Sequence, residues 1–285
     1  MRILKRILIG IRNLLLFLFV SSLLAVVAYR FIPVRYTPLM CIRMYEQFRD
    51  GKPLKLEHKW VPIQKIAQPL VQAVVASEDN LFLDHCGFDI TQIQKARADA
   101  EKGKRVRGAS TISQQTAKNV FLWPGRSYLR KGIEAYFTVL IEWVWGKERI
   151  MEVYLNSIEM GDGIYGAEAV AQAHFRKPAY KLTKAEAALI AATLPNPRTF
   201  NSAKPSSYML KRQAKILSLM GKLLKINMGY DSGDPDSESG SRKVRKRKKL
   251  QAESGTAFRL SEQIIHTRTI IYESFYLSRS RNYRI

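Results

Sequence analysis

A continuous apolar segment near the N-terminus constrains this chain more than any other feature of its sequence. Residues 14–28 are uncharged and, apart from two serines, apolar; the segment extends over residues 11–32 if the polar side chains near its ends reach the interface. An α-helix of about 22 residues, at about 1.5 Å each, spans roughly 33 Å, which is enough for one membrane crossing. The sequence therefore predicts an N-terminal membrane anchor.

Basic residues on both sides of the apolar segment bear on its orientation. The excess of positive charge before the segment favours an N-terminus in the cytoplasm, with the rest of the chain on the other side of the membrane. A cleaved signal peptide, with residues 26–28 as the cleavage site, is the alternative interpretation. The basic residues are Arg2, Lys5, Arg6 and Arg12 before the segment, together with the terminal amine, and Arg30, Arg35 and Arg43 after it.

The composition indicates a folded protein with an anionic partner. The chain has 285 residues, 46% of them apolar, and can bury a sizeable core in one large domain or two small ones. Its net charge of +23 fits nucleic acid, acidic lipid or a phosphate-bearing substrate as the partner. Cys41 and Cys86 match no metal spacing and no disulfide framework.

An acidic segment directly after an apolar run is the first candidate for a functional site. Residues 69–76 predict a buried helix with proline at its first position, which places Glu78 at the helix end. Residues 77–89 then hold four carboxylates, a histidine and two aromatic side chains. A carboxylate where the core meets solvent can be partly desolvated, as an acid or base catalyst requires. The alternative interpretation is a helix end that merges into a polar turn.

A second candidate site lies at residues 108–115, which follow a basic, glycine-bounded loop suited to mobility or anion contact. Thr111 and Gln114 fit a capping box, so a helix is predicted to start here with free backbone N–H groups. Such a helix end can hold a phosphate. An ordinary capped helix is the alternative, and it accounts for Thr111 and Gln114 but not for Gln115 or Lys118.

The remaining sequence up to about residue 228 predicts further helices. No strand pattern of any length appears, and the glycines of residues 161–166 predict a tight backbone path before a helix that runs to about Phe175. Thr183 and Glu186 form another capping box. The predicted helices cover residues 90–101, 127–145, 147–156, 185–194 and 206–224.

These patterns divide the chain into four parts. Residues 1–35 are a cytoplasmic stub and transmembrane anchor, and residues 36–60 form a juxtamembrane connector without a sustained period. Residues 61–228 form a mostly α-helical domain. Residues 229–285 form a charged tail that is predicted to be disordered, because an acidic, serine- and glycine-rich stretch is followed by seven basic residues in eight.

Four blocks inside the helical domain carry most of its candidate site residues. They are residues 78–82 with His85 and residues 87–89, then residues 108–115, then residues 130–134, then residues 147–156. In order and spacing these blocks resemble the motifs of the peptidoglycan glycosyltransferases, the membrane-anchored transglycosylases that polymerise bacterial cell-wall glycan. The resemblance covers about residues 60–225, and the absence of a following penicillin-binding domain resembles the monofunctional form. Ser113, where the family more often has threonine, departs from the pattern but keeps the hydroxyl.

The resemblance implies a lysozyme-like helical fold and a lipid-linked substrate, the disaccharide-pentapeptide diphosphoryl undecaprenol called lipid II. It implies that Glu78 is the general base, which takes the proton from the acceptor's 4-hydroxyl as that oxygen attacks the donor's anomeric carbon. An α-linked donor and a β-1,4-linked product require a single inverting displacement. A covalent sugar-enzyme intermediate is therefore not expected.

The leaving diphosphate requires a set of cations around it, because negative charge grows as the bond breaks. Lys118, Arg126 and Lys131 are the candidates, and Glu134 is expected to orient them or to hold a divalent metal such as Mg²⁺. Glu78 and Glu134 are thus the predicted catalytic residues. The predicted substrate-binding residues are Asp79, Phe82, Gly108, Ser110, Thr111, Gln114, Gln115, Lys118, Arg126, Arg130 and Lys131.

Two other functions compete with polymerisation. A lysozyme-like muramidase or lytic transglycosylase also fits one catalytic glutamate in a helical domain, but glycan cleavage releases no diphosphate and leaves the basic cluster unexplained. A membrane-tethered basic binding protein explains the tail but not Glu78 or Gln115. The expected partners are lipid II, the growing glycan, the membrane and other cell-wall synthesis or division proteins, without nucleic acid. The expected location is the bacterial cytoplasmic membrane, with a single span and the catalytic domain on its outer side.

Overall fold

The computed structural model describes residues 2–103, 108–125 and 127–223. Three predictions fall outside the described residues: the diphosphate contact of Arg126, the central part of the basic loop, and the tail of residues 229–285.

The described residues form a mostly α-helical protein, as the sequence predicts. Three short strands accompany the helices, and each is too short to show an alternating pattern in the sequence. The strands are β1 (Glu57–His58), β2 (Glu159–Gly161) and β3 (Ile164–Tyr165). The helices are α1 (Arg2–Phe31), α2 (Pro38–Arg49), α3 (Gln68–Glu78), α4 (Ile90–Glu101), α5 (Ile112–Phe121), α6 (Tyr128–Val144), α7 (Gly146–Ser157), α8 (Ala167–Phe175), α9 (Lys184–Thr193) and α10 (Ser207–Met220).

The apolar helix α1 is both a candidate membrane span and a packed element of the domain. It is the one helix in the described ranges that is long and apolar enough to cross a membrane. Its second half lies against α6, where the Ser22 and Tyr136 hydroxyls are 2.7 Å apart. Further along, the Trp145 indole N–H donates to the Val26 carbonyl at 2.7 Å, and Val26 is fully buried.

Arg149 of α7 fixes the C-terminal end of α1. Its Nη2 donates to the Tyr29 carbonyl at 2.8 Å and to the Ile32 carbonyl at 2.7 Å. Its Nη1 pairs with Glu152 at 2.6 Å, and its guanidinium lies 5.1 Å from the centre of the Trp60 ring. A cation at this position satisfies terminal carbonyls that have no partner within their own helix. The anchor is therefore joined to the domain by directed hydrogen bonds as well as by apolar contact.

The predicted connector contains a helix that the sequence pattern did not reveal. Helix α2 begins with Pro38 at its first position, after Thr37, whose side chain accepts a hydrogen bond from the Met40 N–H. These are ordinary helix-start signals. Met40 is the one fully buried residue of α2, so the apolar stripe is too narrow to produce a visible period.

Capping residues start the helices where the sequence predicts them. Thr111 with Gln114, and Thr183 with Glu186, form complete capping boxes at the starts of α5 and α9. Ser127 accepts the Arg130 N–H at the start of α6. Both predicted capping boxes are confirmed.

Helix α3 lies at the centre of the domain and positions the candidate site at its end. The α3 residues 73–75 are almost completely buried, and α3 packs against α9 and α10, while α5 packs against α6 and α7. The strand order is β1-β3-β2, with β1 parallel and β2 antiparallel to β3. The predicted tight path ends at Gly166, whose φ is +83° and where an added Cβ would lie 2.6 Å from the Asn156 carbonyl oxygen.

Candidate active site

Glu78 lies at the last position of α3, with its side chain 16% exposed. Its Oε1 accepts a hydrogen bond from the Ser77 hydroxyl at 2.7 Å and lies 3.5 Å from Nη2 of Arg212. Its Oε2 accepts from Nε2 of Gln115 at 3.2 Å. The carboxylate is thus held from three sides and still reaches solvent, as a base that takes a proton from a substrate must.

The side-chain amide of Gln115 is also held by a hydrogen bond on its oxygen, the end that does not contact Glu78. The hydroxyl of Tyr154 in α7 donates to the Gln115 Oε1 at 3.2 Å. Tyr154 is completely buried, and burial, followed by the charges of Glu78 and Asp79, raises the pKa of its hydroxyl well above the usual value. The hydroxyl therefore stays protonated and able to donate.

Asp79 connects the acidic segment to the start of α5. Its buried carboxylate accepts from His85 Nε2 at 2.9 Å and from the Ile112 N–H at 3.0 Å. The Gly87 N–H donates to His85 Nδ1 at 3.1 Å, so the proton of the neutral ring lies on Nε2. A carboxylate at the positive end of α5 stabilises the helix start. Asp79 thus has a clear structural role, and its contact with substrate stays a prediction.

Phe82 packs in the core beside the acidic segment. Its ring is fully buried, 6.4 Å from the His85 ring, with Lys147 Nζ 4.6 Å from its centre. Lys147 also donates to Glu142 Oε1 at 2.6 Å, and the Ser113 hydroxyl donates to the same oxygen. The position of Phe82 gives it a packing role, and its predicted substrate contact is not tested by this geometry.

Thr111 and Gln114 are satisfied within the protein. Gln114 Oε1 accepts the Thr111 N–H at 3.0 Å, and Thr111 Oγ1 accepts the Gln114 N–H at 3.2 Å and donates to the Gly87 carbonyl at 2.6 Å. Both residues are buried, whereas Gly108 and Ser110 are exposed at the end of the basic loop. The exposed pair is the more accessible to a substrate, and all four substrate contacts stay predictions.

A compact cation cluster surrounds Glu134 on α6. Glu134 is buried, and its carboxylate accepts from Arg130 Nη1 at 2.8 Å and from Lys131 Nζ at 2.5 Å. Arg130 is also buried, and its Nε has no hydrogen-bond partner in the described part of the chain. Because a buried pair of this kind is costly unless its remaining donors are satisfied, the cluster is suited to receive further negative charge.

Lys118 is a cation that interacts with both groups of residues, those around Glu78 and those around Glu134. It lies three positions after Gln115, on the same face of α5. Within the described ranges its ammonium makes no hydrogen bond or ion pair. Burial lowers its pKa; the charges of Glu134 and, more weakly, Glu78 oppose this shift, and the positive charges of the α6 cluster add to it. A partly buried, unpaired ammonium close to both glutamates is a natural receptor for an anion.

The residues around Glu134 do not fit a resident metal ion. Both carboxylate oxygens already accept hydrogen bonds from cations. The described residues contain no group of three or more His, Cys, Asp or Glu side chains arranged to hold a metal. Mg²⁺ prefers octahedral oxygen ligation, which the Arg130 and Lys131 side chains cannot supply.

Sequence reasoning missed two residues of this site. Arg212 lies in the predicted helix of residues 206–224, but only the packing of α10 against α3 brings it to Glu78. Tyr154 lies in the fourth motif block, where its spacing alone gave it no partner. Both residues lie in segments that the sequence analysis singled out. The sequence does not show, however, that Arg212 contacts Glu78 or that Tyr154 contacts Gln115.

Together, the candidate membrane helix, the largely buried Glu78 carboxylate and the adjacent cations fit an enzyme that acts at a membrane on a substrate with an anionic group. The chain belongs to the transglycosylase family, whose family model matches residues 46–221. The predicted family is thereby confirmed, and with it the lysozyme-like helical fold.

The chain is similar to three curated proteins described as biosynthetic peptidoglycan transglycosylases. The protein of Bacteroides thetaiotaomicron is 62% identical over 216 residues, which are 76% of this chain and 87% of the relative. That of Caulobacter vibrioides is 55% identical over 210 residues, 72% of this chain and 89% of the relative. That of Pseudomonas syringae pv. syringae is 49% identical over 220 residues, which are 77% of this chain and 93% of the relative.

Proposed function

We propose that this transglycosylase polymerises lipid II into β-1,4-linked glycan strands with release of undecaprenyl diphosphate. The observation that carries the proposal is the placement of Lys118, a partly buried cation that makes no hydrogen bond or ion pair with the described residues and interacts electrostatically with both Glu78 and Glu134. The names of the similar proteins support a biosynthetic reaction. An enzyme that cleaves glycan releases no diphosphate, so it would have no use for a cationic group that binds an anion next to its carboxylate.

Glu78 is the base in the proposed reaction. The acceptor's 4-hydroxyl transfers its proton to the Glu78 carboxylate as the hydroxyl oxygen forms a bond to the donor's anomeric carbon. The bond between that carbon and the diphosphate oxygen breaks, and its electron pair leaves with the diphosphate. Attack from the side opposite the leaving group converts the α-linkage into a β-linkage. Hydrogen bonds from Ser77 and Gln115 hold the Glu78 carboxylate in place for the transfer.

The cations stabilise the leaving diphosphate. Lys118 and Lys131 supply positive charge, and Arg130 offers its unpaired Nε. Glu134 holds Arg130 and Lys131 in place through its two oxygens, so it acts on the leaving group through them. No step of this mechanism runs through a metal ion, although a requirement for added Mg²⁺ stays open to direct measurement.

The anchor helix places the reaction at a membrane surface. The apolar α1 supports membrane attachment, and an N-terminus in the cytoplasm would place the catalytic domain on the outer side of the bacterial cytoplasmic membrane. Lipid II and the growing glycan are then the partners, and other cell-wall synthesis proteins remain expected ones.

A lipid II polymerisation assay tests the proposal. Purified full chain in detergent is expected to consume lipid II and give products that separate by length on a gel and are digested by lysozyme. Glu78→Gln keeps the size of the side chain and removes the proton acceptor, so turnover is expected to fall at least about a hundredfold with an unchanged melting curve. Glu148→Gln, at an exposed position of α7, is the matched control. Clearing of isolated sacculi without lipid II consumption would support the cleaving enzyme instead.

A further inference from the structure

A chain of hydrogen bonds runs from the buried core to Glu78. It begins at Tyr154, which is fully buried in α7 and whose hydroxyl lies 3.2 Å from Gln115 Oε1. It continues from Gln115 Nε2 to Glu78 Oε2, also at 3.2 Å. Three helices thus contribute one residue each, and within the described part of the chain Gln115 links the other two.

The chemistry of the three groups gives the chain a direction. An ionised carboxylate can only accept hydrogen bonds, so the NH₂ side of the Gln115 amide must face Glu78. The amide oxygen then faces Tyr154 and can only accept, so the tyrosine hydroxyl must donate. Burial raises the pKa of Tyr154, which keeps that proton in place. Without the hydroxyl, the contact with Glu78 alone would hold the Gln115 amide, and its oxygen would lose the donor that fixes its position.

We propose that Tyr154 is a positioning residue for the transfer reaction, which holds the Gln115 amide in place and so keeps the Glu78 carboxylate aimed at the acceptor hydroxyl. The inference rests on the proposed role of Glu78 as the base. It also changes the expected role of Gln115, which the sequence assigns to substrate contact: the amide of Gln115 has both ends occupied inside the protein.

Other charged groups face Glu78 and must stay constant in the test. Arg212 approaches from α10, Lys118 from α5, and the Asp79 carboxylate follows directly in the chain. The Ser77 hydroxyl is a further donor to the carboxylate. Tyr154→Phe leaves all of them unchanged and removes one hydroxyl, so a change in kcat reports the hydrogen-bond chain.

The expected result is a loss of turnover without a loss of substrate affinity. For full-chain Tyr154→Phe in the lipid II assay, we expect kcat to fall about tenfold and KM to change by less than about twofold. A variant that merely folds less well would lower the amount of active protein, so each rate is expressed per molecule able to bind a non-reacting lipid II analogue, and the melting curves are compared.

Two further variants complete the test. Gln115→Leu should cause the same changes, and the double variant should be no worse than Gln115→Leu alone, because the residues act in series. Tyr165→Phe is the matched control, since Tyr165 is also fully buried but lies beside Glu159; its kinetics should equal those of the wild type.

The outcomes separate this inference from the proposed function. A wild-type kcat in Tyr154→Phe, with Glu78→Gln inactive, would overturn the inference alone. An active Glu78→Gln would overturn the assignment of the base. Should Tyr154→Phe not fold, Gln115→Leu decides: an unchanged kcat, or a rise in KM with constant kcat, would contradict a positioning role.

Discussion

Arg212 and Glu78 are 134 positions apart in the sequence, and their side chains approach to 3.5 Å. The contact joins the last described helix, α10, to the end of the central helix α3. Side-chain exposures of 27% for Arg212 and 16% for Glu78 leave the pair open to solvent on one side. A guanidinium at this distance adds positive charge beside the base without closing its access to the acceptor sugar. In the proposed mechanism, the last described helix therefore contributes a charged side chain beside the base as well as structural support.

Replacement of Arg212 tests that contact. We expect Arg212→Gln to lower kcat by about threefold to tenfold while leaving the melting temperature nearly unchanged, because exposed ion pairs contribute little to stability. Lys211→Gln, one position earlier and exposed, is the control. Equal kinetics for the two variants in the lipid II assay would remove Arg212 from the reaction.

The response of Lys118 to alkaline pH provides a second test. Burial holds its pKa below the ordinary value of 10.5, so the ammonium loses its proton at a lower pH than an exposed lysine does. Affinity for a non-reacting lipid II analogue should therefore weaken as the pH rises through this lowered pKa. Lys118→Arg keeps its charge and should retain affinity to higher pH. Parallel declines of binding in the two proteins would mean that another group titrates.

Removal of individual charges from the cluster should separate binding from turnover. Lys118→Ala is expected to weaken binding of the lipid II analogue, and the same is expected of Arg126→Ala, whose position lies outside the described residues. Glu134→Gln should lower turnover more than affinity, because Glu134 acts by holding Arg130 and Lys131.

Binding measurements on each variant decide the cluster's role, with Lys65→Ala as the control. Lys65 is exposed and lies before the start of α3. The start of α3 is about 15 Å from Glu78 along the helix axis, so Lys65 is remote from the site. Unchanged affinity in both Lys118→Ala and Arg126→Ala would move the diphosphate site elsewhere.

Arg149 should matter for the attachment of the anchor helix to the domain. Arg149→Ala removes the donors to the Tyr29 and Ile32 carbonyls, and hydrogen bonds from a charged donor contribute about 1.5 to 3 kcal/mol. We expect a lower melting temperature for the full chain in detergent and faster proteolysis between α1 and α2. Arg198→Ala, which breaks only a 3.9 Å pair with Asp162 on the surface, should change neither. Wild-type proteolysis of Arg149→Ala would show that apolar packing alone holds α1.

Truncation after Met228 is expected to leave turnover in detergent unchanged, since the family match ends at residue 221. The basic run of residues 242–249 would then act only in membrane attachment, at about 1 kcal/mol for each cation near an anionic lipid surface. Liposome binding at low and high salt measures that contribution. Loss of turnover would show that the tail completes the fold and that the predicted domain boundary is wrong.

Local signals in the sequence were sufficient for most of the helices. Proline at the start of α3, the capping boxes of Thr111 and Thr183, and the apolar stripe of α6 each depend on residues within a few positions of one another. Helix α2 escaped prediction because Met40 is its one fully buried side chain. The strands consist of two or three residues, which is too few for an alternating pattern.

The contacts of the candidate active site also fall into two groups, those that local sequence patterns predict and those that only the packing of helices creates. Glu78 with Gln115, and Glu134 with Arg130 and Lys131, were recognisable because each belongs to a block of polar residues. The contacts of Glu78 with Arg212, and of Gln115 with Tyr154, depend on how α10 and α7 pack, and no local pattern specifies that packing. The sequence therefore predicts the site residues that belong to motif blocks, and tertiary structure adds Arg212 and Tyr154 and determines which side chains touch.

The two halves of α1 face different constraints on change. Side chains of residues 3–18 are exposed in the protein, so lipid compatibility is the main requirement on them. From Ser22 onwards the helix must also match Tyr136, Trp145 and Arg149. The first half is free to drift among apolar residues during evolution, whereas the second half must change in step with α6 and α7. A foreign membrane span can accordingly replace the segment ahead of Ser22, and a chimera joined beyond it would lose the attachment.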